Sequence, residues 1–310
     1  MPGALPVGLA WNGQFPNFSE FEKSKSWHAY VHIPFCEVRC GYCDFNTYTS
    51  DEVQGVKRSE FEHSLSTEIN TASRYLQQAK VESKPYSTVF FGGGTPSLFR
   101  VDQIERVIKE LSKSFGILSN AEITMELNPD TVDQQYLNSV AELGITRVSI
   151  GAQSFDPEVL TVLDRTHNPE NVEAAIGFAR NAGLQVSIDL IYGAPGESLS
   201  SWEDSLDKAL SMNPDHLSAY ALIVEAGTKL ARQISKGVYS EPDDDLMADK
   251  YQLLDEMTSK RGLNWYELSN FSSGKSTQSQ HNLAYWKSNY WYGFGPGAHS
   301  FMGDMRFWNR

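Results

Sequence analysis

His28-Ala-Tyr-Val-His-Ile-Pro-Phe-Cys-Glu-Val-Arg-Cys-Gly-Tyr-Cys-Asp-Phe45 joins an apolar, strand-like run to a loop that holds all three cysteines of the chain, Cys36, Cys40 and Cys43. Their spacing is C-x3-C-x2-C. Iron–sulfur clusters are held by cysteine thiolates, commonly four of them. Three thiolates with no fourth leave one iron without a protein ligand, open to a small molecule. A disulfide framework is disfavoured, because the count is odd, the chain is long and nothing marks it as secreted. A structural zinc of the Cys3His type stays open, with His32 or His28 as fourth ligand. Structural zinc usually arrives as paired C-x2-C knuckles, however, and only one such pair is present. Inert buried thiols are the plainest alternative, but Pro34 and Gly41 around the cysteines mark a binding loop.

The remaining composition narrows the class. With 310 residues, 40% of them hydrophobic, the chain can bury a large single core. No apolar run is long enough to span a bilayer. Residues 1–26 form a Pro/Gly/Asn-rich lead-in without a basic n-region or a continuous apolar h-region, so they do not read as a signal peptide. A cytoplasmic location is expected. The net charge of −13 argues against a nucleic-acid partner held by a broad basic surface. The acidic run from Glu241 to Asp245 reads as a helix start, followed by an amphipathic stretch from Leu246 to Met257.

Strand patterns fall at 29–33, 88–91, 122–127, 147–150, 185–191 and 216–222, with helical patterns at 59–76, 101–115, 131–143, 170–182 and 200–210 between them. Strands separated by helices predict β-α-β units and a parallel sheet. Six such units predict an α/β fold, an incomplete (β/α)6 TIM-like barrel over residues 27–230 with a C-terminal extension over 231–310. Chemistry in barrels sits at the C-terminal ends of the strands. The cysteine loop follows the first strand there, and the Gly-rich turn 92–94 follows the second, where backbone can approach a ligand closely. Glu126, Gln153, Arg165 and Asp189 sit at or just past later strands. A carboxylate inside an apolar run, such as Asp189, is costly unless paired or bound. A buried structural hydrogen bond accounts equally well for each. In the extension, a small-polar stretch from Asn270 to Gln280 reads as a flexible loop. It leads to His281 and then to an aromatic run ending near Trp308.

The cysteine spacing, with Tyr42 before the last cysteine, resembles the signature of the radical S-adenosylmethionine (SAM) superfamily. Tyr30 to Cys36, Phe91 to Ser97, Asp189 to Gly193 and Gly293 to Gly295 resemble the oxygen-independent coproporphyrinogen III oxidase family, from about Trp27 to the end of the chain. That resemblance implies a [4Fe-4S] cluster on the three cysteines, with SAM on the fourth iron. Cluster reduction would then generate a 5′-deoxyadenosyl radical. It also implies SAM contacts from Gly93, Gly94, Thr95, Glu126, Gln153, Arg165 and Asp189, with Tyr30 and Tyr42 flanking cluster or nucleoside and His299 facing the same pocket. The oxidases carry a further cysteine two residues past the third, where this chain has Phe45. That departure, with His281-Asn-Leu-Ala-Tyr-Trp286, resembles the sister group of HemW-type haem chaperones. The implied ligand is haem, on His281, and the implied partners are haem-accepting apoproteins. The alternative is a coproporphyrinogen III dehydrogenase. Members of the family continue past the position of Arg310, so a fragment is expected. Pairing of two chains and peripheral membrane contact stay open.

Overall fold

Buried strands and amphipathic helices alternate in the structure, a computed structural model that describes residues 22–53 and 55–309. In chain order its first half comprises β1 (Trp27–Ile33), a small hairpin of β2 (Glu52–Val53) and β3 (Val56–Lys57), α1 (Phe61–Gln78), β4 (Tyr86–Gly93), α2 (Val101–Ser114), β5 (Ile117–Leu127), α3 (Gln134–Glu142) and β6 (Arg147–Gln153). Next come α4 (Pro157–Val162), α5 (Pro169–Asn181), β7 (Gln185–Tyr192), α6 (Leu199–Ser211), β8 (His216–Ala221), α7 (Lys229–Ser235) and α8 (Asp244–Lys260). The chain closes with β9 (Asn264–Glu267), β10 (Asn270–Ser272), α9 (Gln280–Trp286), β11 (Tyr290–Phe294), β12 (His299–Met302) and β13 (Met305–Trp308). The part of the lead-in before residue 22 lies outside the described residues.

One sheet carries the molecule, in the order β13-β12-β11-β1-β4-β5-β6-β7-β8-β10-β9. The run from β11 through β8 is parallel, and the outer strands at both ends are antiparallel. The barrel-type α/β fold is therefore present. Residues 231–309 are built into it: β10 extends the sheet beside β8, and β11 flanks β1 at the other end. Of the aromatics of that region, Phe271, Tyr290, Tyr292 and Phe294 are buried in the core, while Trp265, Trp286 and Trp308 are exposed.

Caps start the helices where the sequence places them. Asn168 with Pro169 opens α5, and Asp243 caps α8, leaving Asp244 and Asp245 in its first turn. Carboxylates there complement the helix dipole, which explains the acidic run without a metal. One helix differs from expectation. The stretch read as a flexible loop before His281 holds β10 and a 3-10 turn, and His281 itself lies on α9. Glu122 on β5 accepts from the backbone N–H groups of Gln280 and His281, at 3.0 Å each, and ties α9 to the barrel. Outside the cavity lining, Lys250 on α8 is buried against Glu197, Nζ to Oε2 at 2.7 Å. Among the described residues, no helix is long and apolar enough to cross a membrane.

Candidate functional site

Strand alternation builds the site. On β5 through β8 one face is apolar and packs under the helices, with Met125, Val148, Ile150, Ile188, Leu190, Leu217 and Ala219 fully buried. The opposite face is a polar stripe of period two, pointing into the barrel. It reads Thr124 and Glu126 on β5, Arg147, Ser149 and Gln153 on β6, Ser187 and Asp189 on β7, and His216 and Ser218 on β8. All of these line one cavity of about 690 Å³, whose rim is the cysteine loop. Thr124, Arg147, Ser149, Ser187, His216 and Ser218 escaped sequence reading. Polar residues at every second position of otherwise apolar strands were the signal that reveals them.

The cysteine loop is pinned rather than floppy. Cys36 N–H donates to Tyr48 O at 2.9 Å, Gly41 N–H to Leu163 O at 3.1 Å, and Leu230 N–H to Gly41 O at 2.8 Å. A side chain at Gly41 would collide with the Asp164 carboxylate. The glycine turn holds the loop from the other side. Gly94 and Thr95 give their N–H groups to Ile33 O and Phe35 O, at 2.8 and 2.7 Å. Their amides are thus spent on the protein. Gly93 has φ +113 with His32 against it, so only glycine fits without strain.

All three thiols line the cavity. Burial pushes the Cys36 thiol up to about 11 and also raises that of Cys43, and charge on the neighbouring cysteines raises both further. Thiols that resist ionising together need a cationic centre to become thiolates, and iron supplies it. The donor set therefore fits an iron–sulfur cluster. It does not fit the Cys3His zinc alternative. His28 is bonded to Thr88 and Ser26, at 2.9 and 2.8 Å, and His32 to Tyr30 and Asn46, at 3.0 and 2.9 Å. Neither histidine has a ring nitrogen left for zinc. Arg165 bridges the rim, with Nη1 3.7 Å from Cys40 Sγ and Nη2 donating to Gly151 O at 2.6 Å.

Of the residues expected to hold cofactors, Tyr30, Tyr42, Gly93, Gly94, Thr95, Glu126, Gln153, Arg165, Asp189 and His281 all line this cavity. Gln153 does so from a left-handed backbone, φ +63, a strained conformation of the kind that clusters at ligand sites. His299 is the exception. The turn after Gly295 reverses the chain, and β12 carries His299 onto the outer hairpin. There it stacks on Trp308 at 5.6 Å, away from the cavity.

Two carboxylates carried on the barrel strands line the cavity, Glu126 and Asp189. Burial pushes Glu126 up to about 8, with the charge of Asp189 adding to the rise and the Gly93 N–H opposing it. Asp189 is also raised by burial, against hydrogen bonds from Ser149 at 2.9 and 2.8 Å. For an acid whose folded value lies above its unfolded one, the folded state holds the proton more tightly. Stability therefore falls as pH rises from the unfolded value through about 8. Glu126→Gln should leave stability nearly unchanged below about pH 4 and raise it at pH 8.5 by at least about 1 kcal/mol, read by urea unfolding of the metal-free protein. Equal gains at both pH values would show that Glu126 is not the strained acid.

The family model of the radical SAM superfamily matches residues 30–209. The chain is 42% identical over 281 residues to the heme chaperone HemW of Mycobacterium tuberculosis, covering 90% of this chain and 70% of that one. It is 35% identical to the Bacillus subtilis heme chaperone HemW, covering 90% and 72%. A mouse mitochondrial protein, radical S-adenosyl methionine domain-containing protein 1, is 37% identical over 271 residues, covering 87% and 59%. Among solved structures, the coproporphyrinogen III oxidase HemN of Escherichia coli superposes with a TM-score of 0.77 at 24% identity, over 94% of this chain and 68% of that one. That likeness bears on the fold alone. Such a domain implies a [4Fe-4S] cluster and SAM, and the donor set above accommodates both. With its cysteine rim, polar barrel interior and these relatives, the chain belongs to the radical SAM superfamily and, within it, to the HemW family of haem chaperones.

Proposed function

We propose that this protein is a cytoplasmic haem chaperone on a radical SAM scaffold, binding haem and passing it to haem-accepting apoproteins. Cys36, Cys40 and Cys43 would hold the [4Fe-4S] cluster, which when bound supplies an open iron for SAM. Glu126 and Asp189 are the acceptors suited to ribose hydroxyls, Arg165 is suited to the methionine carboxylate, and Gly94 and Thr95 offer carbonyl and hydroxyl oxygens to its amino group. The observation that carries the haem reading is the surface beside this cavity. At its mouth, Tyr285 and Tyr220 are shared with an apolar groove of about 750 Å³, large enough for a flat macrocycle.

The competing reading is oxidative decarboxylation of coproporphyrinogen III. Phe45 weighs against it: where the oxidases keep a cysteine, this chain presents an exposed phenyl ring, 58% accessible, at the rim. Haem titrated into anaerobically reconstituted protein should give a saturable Soret shift near one equivalent. A spectrum that only sums the two components would refute haem binding.

A further inference from the structure

We propose that the Thr47 hydroxyl donates a hydrogen bond to the Cys43 sulfur and thereby raises the reduction potential of the bound cluster. This rests on the cluster reading above. Thr47 closes the segment Cys43-Asp-Phe-Asn-Thr47, and sequence reading passed over it. The other two sulfurs share their side-chain donors with the ligand side of the loop. Cys36 is met by the Thr95 hydroxyl, and Cys40 by the Arg165 guanidinium at 3.7 Å. Thr95 and Arg165 line the cavity together with the cysteines. Cys43 differs. Its sulfur is met by the Phe45 backbone N–H and by the hydroxyl of Thr47. Thr47 is 5% exposed and is not part of the cavity lining. It therefore reaches the sulfur from behind the loop, on the side away from SAM.

The hydroxyl is held in place from both directions along the chain. His32 Nε2 donates to Asn46 O at 2.9 Å. Tyr48 N–H donates to Pro34 O at 2.7 Å, and Tyr48 O accepts from Cys36 N–H at 2.9 Å. Between these two fixed neighbours, a β-branched side chain stiff at χ1 has little room to swing. The competing acceptor is weak. Phe45 O lies 3.4 Å from Thr47 Oγ1, at the long limit of a hydrogen bond, and already accepts from Arg39 Nη2 at 3.3 Å. The Thr47 proton is thus free to point at sulfur. Reducing the cluster takes one electron from an external low-potential donor and adds negative charge that spreads onto the sulfurs. A hydrogen bond aimed at a sulfur strengthens with that charge, so the reduced form gains more than the oxidised one. Arg39 also lies beside Cys43, but it is exposed, and water and salt screen its charge. The buried hydroxyl is not screened in that way.

The test is a redox titration of the reconstituted full chain, with dithionite as reductant and electron paramagnetic resonance as readout, run with and without SAM. Wild type is compared with Thr47→Val, Thr47→Ala and Thr47→Ser, and iron and sulfide analysis certifies each cluster. Thr47→Val keeps the shape and loses the donor. Its one-electron reduction constant should fall about tenfold, a drop of about 59 mV in midpoint, to the same extent with and without SAM. Thr47→Ala should fall by the same factor, whereas Thr47→Ser keeps the donor and should stay within about twofold of wild type. A residue that only packs would behave the other way, with Val titrating like wild type and Ser, short of a methyl group, departing from it. A Val midpoint within about twofold of wild type would overturn the assignment. So would a Ser shift as large as that of Val, or a shift confined to SAM-bound protein. Loss of iron from both donor-free variants would make Thr47 a structural support of the loop instead. Wild-type protein that takes up no iron would overturn the cluster reading and this assignment with it.

Discussion

Replacing any one of Cys36, Cys40 and Cys43 by alanine should abolish the cluster while leaving the fold intact. Wild-type protein reconstituted anaerobically should carry about four irons and four sulfides, and each variant close to none. The expectation of total loss follows from the count. With three thiolates in all and none elsewhere in the chain, removal of one leaves two ligands for four irons. The fold should survive because backbone hydrogen bonds, not the thiols, pin the loop to Tyr48, Leu163 and Leu230. Far-ultraviolet circular dichroism should therefore be unchanged. Zinc in the isolated protein, with no iron taken up on reconstitution, would contradict the assignment.

The largest stability effect is expected at a buried ion pair outside the cysteine loop. Lys250 and Glu197 are both almost wholly buried, and Lys250 Nζ also donates to Glu197 O at 2.7 Å. Glu197 in turn accepts from Gly193 N–H at 2.7 Å, at the end of β7, while Trp202 Nε1 donates to Lys250 O at 3.1 Å. The pair thus fastens α8 to the barrel and fixes the turn after the strand that carries Asp189. Lys250→Ala strands a buried carboxylate and should cost about 3–5 kcal/mol. Replacing both partners by apolar residues of similar size, as in Lys250→Met with Glu197→Leu, should recover most of that loss. Urea unfolding of the three proteins checks it. A single variant within about 1 kcal/mol of wild type would mean that water reaches Glu197.

The barrel was legible because its strands are buried on both faces and its helices carry their own caps. Six of the seven strands in the parallel run fall within a few residues of their predicted places, β11 being the one not predicted. The cysteine rim was legible from spacing alone. Arg147, Ser187 and His216 were not, because each looks like an isolated polar residue until neighbouring strands align them: Arg147 lies beside Thr124, and Ser187 beside His216. Register is a property of the sheet, not of any one segment. The role of the C-terminal region was hidden for a similar reason. Small polar residues between Asn270 and Gln280 read locally as a loop, yet β10 forms there because β8 offers an open edge. His281 drew attention as a free ligand, and only the fold reveals Thr88 and Tyr285 on its two nitrogens. His299 follows a glycine turn whose direction a sequence does not disclose.

The central claim is that haem is carried and handed on rather than a porphyrinogen consumed. It is tested most directly on one anaerobic preparation holding cluster and SAM. Half is loaded with haem and mixed with an apo haem protein, and half is given a reductant and coproporphyrinogen III. The account predicts that the Soret band of the acceptor's holo form grows as that of the donor decays, and that no protoporphyrinogen is formed. Steady decarboxylation in the second half, with haem retained or never bound in the first, would contradict it.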